Sequence, residues 1–273
     1  MELRISTMYF SPTGTTGKIV SEIAGALCVA ADIPASFDAI DFADPETRKK
    51  PVAFSGKDLV VIGVPVYAGR VPNVLLPYLN SFDGGGASVV AVVLYGNRNY
   101  DDALIELTDI LTEHNFRVVA AGAFIGEHSF SDILASGRPD GSDISIARDF
   151  AGRISRKLDS NPQPSAVTVN GQKPYRPYYV PKDENGNPVY DFRKIKPLTS
   201  SACNDCKLCA QICPVGSIDF DDVSLVSGIC IKCCACVKRC PEHAKFFDDT
   251  SYTRHRLELE DIYAARKDPE LFL

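Results

Sequence analysis

Over its first 160 residues the chain alternates two kinds of hydrophobic pattern. Residues 3–10, 59–64, 88–95 and 117–125 are short, β-branched and almost continuously apolar, as strands buried on both faces of a parallel sheet are. A weaker run at 35–39 would supply a fifth strand. Between them lie stretches with apolar positions at helical spacing, at 16–30, 74–80, 101–114 and 145–158; in the last, Ile146, Phe150, Ile154 and Leu158 share one side. Strands alternating with helices predict an α/β domain with a doubly wound, five-stranded parallel sheet over residues 1–160.

The pattern then breaks. Residues 161–199 carry seven prolines from Pro162 to Pro197, which prevent any regular period. Tyr175, Tyr178, Tyr179, Tyr190 and Phe192 indicate that this linker packs against something, because disordered segments are poor in aromatics. Asn185-Gly186 between two Tyr-containing arms predicts a hairpin turn. The stretch reads as a surface-hugging linker, with a partner-docking arm as the alternative. Residues 200–249 hold an internal repeat, and 250–273 read as a docking helix, over 251–267, with a tail.

Composition adds limits. Acidic residues outnumber basic ones 35 to 29, for a net charge of −6. This balance argues against a nucleic-acid or anionic-membrane binder, since both need a basic patch. The longest apolar runs, 59–66 and 89–95, fall short of the roughly 18 residues of a spanning helix, and Met1-Glu2-Leu3-Arg4 reads as a strand rather than an export signal. The expectation is a cytoplasmic protein that meets neither membrane nor nucleic acid.

Nine of the ten cysteines lie between Cys203 and Cys240. A disulfide network would spread its crosslinks, so this clustering points to metal chemistry in a reducing compartment. Cys203, Cys206, Cys209 and Cys213 recur 27 positions later as Cys230, Cys233, Cys236 and Cys240, and each fourth cysteine precedes a proline, Pro214 or Pro241. Zinc sites usually use separated C-x-x-C pairs; a 4Fe–4S cube takes four soft thiolates. The two runs of C-x-x-C-x-x-C-x-x-x-C-P resemble the bacterial two-cluster ferredoxins at all eight ligand positions. The resemblance implies crossed ligation, with Cys203, Cys206, Cys209 and Cys240 on one cluster and Cys230, Cys233, Cys236 and Cys213 on the other. Cys234, with Lys207 at the matching place of the first run, and Cys28, on the first helix's apolar side, read as packed side chains.

After the first strand comes Ser11-Pro12-Thr13-Gly14-Thr15-Thr16, opening a helix. Small residues let the backbone curl so that N–H groups converge on a phosphate at the helix N-terminus; an ordinary capped turn is the alternative. Two further loops, 64–70 and 95–101, follow the third and fourth strands, at the ends where doubly wound sheets bind ligands. With these loops the first domain resembles the flavodoxins. The resemblance implies FMN, with its phosphate on Ser11, Thr13, Gly14, Thr15 and Thr16. It implies ring contacts from the loop of Pro65, Tyr67, Ala68 and Gly69, with Tyr67 and either Tyr95 or Tyr100 stacking, and pyrimidine contacts from backbone groups of Gly96, Asn97 and Asn99. Gly84-Gly85-Gly86 precedes a strand and reads as a turn. His128, in Gly126-Glu127-His128-Ser129-Phe130-Ser131, reads as a hydrogen-bonding or interface residue, with flavin chemistry as the alternative.

The whole layout is similar to flavodoxin–ferredoxin fusion proteins of anaerobes. It implies an electron-transfer protein carrying FMN and two 4Fe–4S clusters, with an FMN-dependent reductase of a small molecule as the alternative. The cofactors would bring the charge near −12, at about −2 for each cluster and for the phosphate. The expected partners are redox proteins with a basic docking face, and a homodimer is left open.

Overall fold

A sheet of six strands organises residues 3–33 and 38–273, the part of the chain described by the computed structural model. β1 (Arg4–Tyr9) turns into α1 (Thr15–Ala30), followed by β2 (Asp38–Asp41) and β3 (Asp58–Pro65). A 3-10 turn at Asn73–Leu75 continues into α2 (Leu76–Leu79), then β4 (Ser88–Tyr95), α3 (Ala103–Glu113), β5 (Arg117–Ile125) and α4 (Gly141–Ser160). The cysteine-rich part holds β6 (Leu198–Thr199), α5 (Leu208–Gln211), α6 (Ala235–Lys238) and β7 (Lys245–Phe246). α7 (Thr250–Ile262) and β8 (Glu270–Phe272) follow.

The order β2-β1-β3-β4-β5-β8 has its first five strands parallel. The order 2-1-3-4-5 is that of the flavodoxin-like doubly wound fold. β3, β4 and β5 are buried almost end to end, as their unbroken apolar runs require. α1 and α4 cover one face through Ile19, Ile23, Leu27, Phe150 and Ile154, and Cys28 is buried there as expected. The 3-10 turn, α2 and α3 cover the other face through Leu75, Leu79, Leu104, Leu107 and Leu111.

Several expectations shift. Of the weak strand expected at 35–39, residues 35–37 lie outside the described residues, as do Met1 and Glu2; the described part belongs to β2. The helix expected at 74–80 is split into a 3-10 turn and one α turn, with Pro77 inside the first turn of the latter. α4 begins four residues early because Asp140 caps it, accepting from the Ser142 and Asp143 N–H groups while the Asp143 carboxylate accepts from the Asp140 N–H. The last helix stops at Ile262 instead of 267, and the chain runs on to pair β8 antiparallel with β5.

The linker is more than a surface-hugging strap. Tyr175 donates to Asp109, Arg176 pairs with Asp102, and the Tyr178 hydroxyl donates to the Val71 carbonyl at 2.8 Å. The Arg70 guanidinium lies over the rings of Tyr175 and Tyr178 at 4.7 and 5.0 Å. The hairpin around Asn185-Gly186 is present, with a bridge between Lys182 and Pro188 and the Val189 N–H donating to the Pro181 carbonyl.

Candidate functional site

The loop after β1 is an anion cradle by construction. Gly14, at φ 90°, occupies the left-handed region and caps α1 with no side-chain hydrogen bond. The Ser11 hydroxyl accepts from the Gly17 N–H at 2.9 Å, and the Ser11 carbonyl accepts from Gly14. Among the described residues no acceptor is found for the N–H groups of Thr13, Thr15 and Thr16, and the first turn of α1 carries no acidic residue. Unpaired donors at the start of a 16-residue helix suit a phosphate.

Beside it, at the carboxyl ends of β3, β4 and β5, opens a cavity of about 620 Å³. Tyr67 reaches it from a tight turn in which Tyr67 and Arg70 exchange both backbone hydrogen bonds across Ala68 and Gly69, each at positive φ. That mirror-image turn is the tight two-residue kind favoured between paired strands. A bidentate pair from the half-buried Arg70 to the buried Glu106, at 2.8 and 2.6 Å, anchors the turn to α3. Burial pushes the Tyr67 hydroxyl well above its ordinary value, and the Cys233, Cys234 and Cys230 thiols beside it push the same way.

Tyr67, Ala68, Gly69, Tyr95, Gly96 and Asn99 all line this cavity. Pro65 ends β3 without reaching it, and residues 11–16 stand one strand over, β1 being paired to β3. The Asn97 side chain turns away to donate to the Tyr263 and Ala265 carbonyls at 2.6 and 2.9 Å. Tyr100, an expected alternative for stacking, lies in the core instead. It is 4% exposed, its hydroxyl donating to Glu270 at 2.6 Å, because β8 brings that carboxylate to it. Tyr95, 5% exposed, is the one of the two that faces the cavity.

Sequence reasoning missed the opposite wall. Tyr178, Tyr179 and Phe192 of the linker close it, together with Cys230, Ile231 and Lys232 of the second cysteine run and His255 of α7. The clustered linker aromatics were the signal available for the first three.

The cysteine part folds as two copies of one backbone. Positive φ recurs 27 residues apart at Asp205 and Lys232, Lys207 and Cys234, and Gly216 and His243. The Ser217 N–H donates to Cys213 Sγ and the Ala244 N–H to Cys240 Sγ, both at 3.3 Å. All ten cysteines are free thiols. Cys203, Cys206, Cys209 and Cys240 line one small cavity; Cys213, Cys230, Cys233 and Cys236, with Cys234 among them, line another. Cys213 lies near enough to Cys230 and Cys233 for its charge to raise both their pKa values, after the larger effect of burial. Among the described residues no three such side chains converge on a single-ion site. Zinc needs all its sulfurs about 2.3 Å from one point, whereas a four-iron cube offers each thiolate its own corner. Each cavity has on its wall the four soft sulfurs, in number and type, that a cube takes. Cys234, 2% exposed, packs beside Tyr252 with its sulfur 3.7 Å from the hydroxyl.

Residues 126–131 form the joint between the two parts. Lys238 of α6 donates to Glu127 at 2.8 Å and to the Ser131 carbonyl at 2.5 Å, and the Ser131 hydroxyl donates to Glu260 of α7 at 2.6 Å. The Phe130 ring packs 4.9 Å from that of Tyr252. His128 Nδ1 accepts from the Phe130 N–H at 3.1 Å, so the neutral ring carries its proton on Nε2. Burial, with His255, Lys238 and Arg98 nearby, pushes its pKa down to about 4. A Cβ at Gly96 would stand 2.4 Å from His128 Cδ2, so only glycine lets the ring sit against that loop.

No protein-family model and no curated protein matches the chain. Among solved structures it is similar to a flavodoxin from the domain Archaea, at 13% identity over 57% of this chain and 99% of that one, with a TM-score of 0.39. A short-chain flavodoxin associated with a non-canonical PDU bacterial microcompartment gives 14%, 57%, 99% and 0.37. The fold assignment rests on the strand order.

Proposed function

We propose that the protein transfers electrons between FMN and two 4Fe–4S clusters held in the same chain. The observation that carries this is one cavity walled on one side by Tyr67, Tyr95, Gly96 and Asn99 and on the other by Cys230, which also lines the neighbouring cavity with Cys213, Cys233 and Cys236. FMN exchanges electrons in pairs or singly and each cluster moves one.

The chain's own residues supply binding, orientation and exclusion of water. The loop at 11–16 holds the phosphate with the N–H groups of Thr13, Thr15 and Thr16, while Tyr67 and Tyr95 bound the ring. The two sets of cysteines hold the clusters as thiolates, each cluster fastening both repeats. The set around Cys230 is the inner one, next to the cavity. The set around Cys206, which is exposed, is where an external redox protein reaches the chain. Asp205, Asp221, Asp222 and Glu242 are exposed near it, which suits a partner with a basic docking face.

The test is an anaerobic preparation with its visible spectrum and metal content. The expected result is a flavin band and a broad cluster absorbance that both bleach on reduction, with about eight iron atoms per chain. Riboflavin should bind far more weakly than FMN, because the charge-assisted hydrogen bonds to phosphate are lost. Zinc in place of iron removes the clusters from this reading, and equal affinity for riboflavin and FMN removes the phosphate loop.

A further inference from the structure

The charged lining of the cavity is all of one sign. Among the described residues no aspartate or glutamate lines it, whereas Arg98, Arg193 and Lys232 do, in a chain of net charge −6. Arg98 is engaged with Asp101 and lies over the Tyr179 ring at 5.0 Å. Arg193 stands exposed and forms no ion pair with the described residues.

Lys232 is the unusual one. It is 7% exposed, and its ammonium forms no hydrogen bond or ion pair with the described residues; it lies 5.3 Å from the centre of the Phe192 ring. Its stem is buried while the ammonium itself is not fully enclosed, and it stands between this cavity and the one lined by Cys230 and Cys233, so its charge stays open to an anion on the cavity side. Lys245, as deeply buried in the same part, donates to both Thr199 and Val223. The repeat sharpens the contrast. Position 232 corresponds to Asp205 in the first run, where the residue is exposed and its carboxylate pairs with Lys207 at 2.8 Å. The charge is therefore reversed only in the copy that faces the cavity.

We infer that the cavity binds a small planar organic carboxylate beside the flavin ring, its negative charge on the Lys232 ammonium with Arg193 at the edge, and its flat body among Tyr179, Tyr190 and Phe192. The position beside the ring rests on the FMN reading above; the anion site itself does not.

The probes are benzoate and its neutral isostere benzamide, titrated by calorimetry and flavin difference absorbance into the protein loaded with FMN and iron. Benzoate should saturate and perturb the flavin bands, with benzamide about tenfold weaker. Lys232→Met should abolish that preference and Lys232→Arg should keep it. Arg193→Gln, at an exposed and unpaired position that cannot threaten folding, should weaken benzoate about threefold. Equal affinities, or no saturable binding of benzoate, overturn the inference. So does a preference that survives Lys232→Met, which would assign the ammonium to the neighbouring thiolates alone. FMN content is read on the same samples: FMN retained without benzoate binding removes only the anion site, and charge-selective benzoate binding without FMN removes only the flavin.

Discussion

Tyr67 and His128 define what single side chains do at the cavity. An aromatic neighbour to a flat ring contributes about 0.5–1.5 kcal/mol beyond its buried area, so Tyr67→Ala should weaken FMN about 2- to 10-fold in a fluorescence titration. The same substitution should raise the flavin reduction potential, since a ring face opposes added electron density. Unchanged affinity and potential would leave Tyr67 as packing. For His128 the folded pKa of about 4 lies below the ordinary 6.5. As pH falls through that window the unfolded chain takes up the proton first, so stability is complete above about pH 6.5 and declines toward pH 4. The total loss is at most about 3 kcal/mol. Thermal midpoints of wild type and His128→Asn between pH 7 and 4.5 should diverge, wild type falling further; parallel curves would contradict the burial of the ring.

At the scale of elements, the turn that carries Tyr67 is held by α3 rather than by its own strand. Glu106 accepts from the Arg70 guanidinium and from the Val71 N–H at 2.9 Å. Glu106→Gln leaves a half-buried guanidinium without its anion, which costs about 1–3 kcal/mol, and should lower the denaturant midpoint and FMN affinity together. An unmoved midpoint would mean that water already screens the pair. The elements themselves were largely legible, because runs such as 88–95 and 117–125 are buried on both faces and so cannot carry polar positions. β8 was not, since three residues hold no period. Nor was the far wall of the cavity: Tyr178, Phe192, Lys232 and His255 are brought together by the path of the linker, and no spacing rule connects them. The cysteine repeat was readable because its symmetry is local, down to positive φ at matching residues.

Across the whole molecule, the proposed crossed ligation predicts that the two cysteine runs stand or fall as one unit. Its cluster of buried side chains is small, built on Cys209, Ile218 and Val223, so on the proposed reading the clusters would supply most of its organisation. Cys213→Ala, on the crossed arrangement, removes a ligand from the set of Cys230, Cys233 and Cys236 and loosens the repeat that holds the other set. Iron should fall from about eight atoms per chain to near zero; retention of about four would separate the fates of the two clusters. The strand β8 adds a constraint of timing. It covers the free edge of β5, yet it is translated after both cysteine runs. At about 5–20 residues per second, β5 waits on the order of ten seconds for its neighbour, presenting an unpaired strand edge of the kind that recruits other chains. A nascent chain halted between the second cysteine run and Glu270 therefore differs from the finished protein by an open sheet edge, which marks it as incomplete whether or not iron has been inserted.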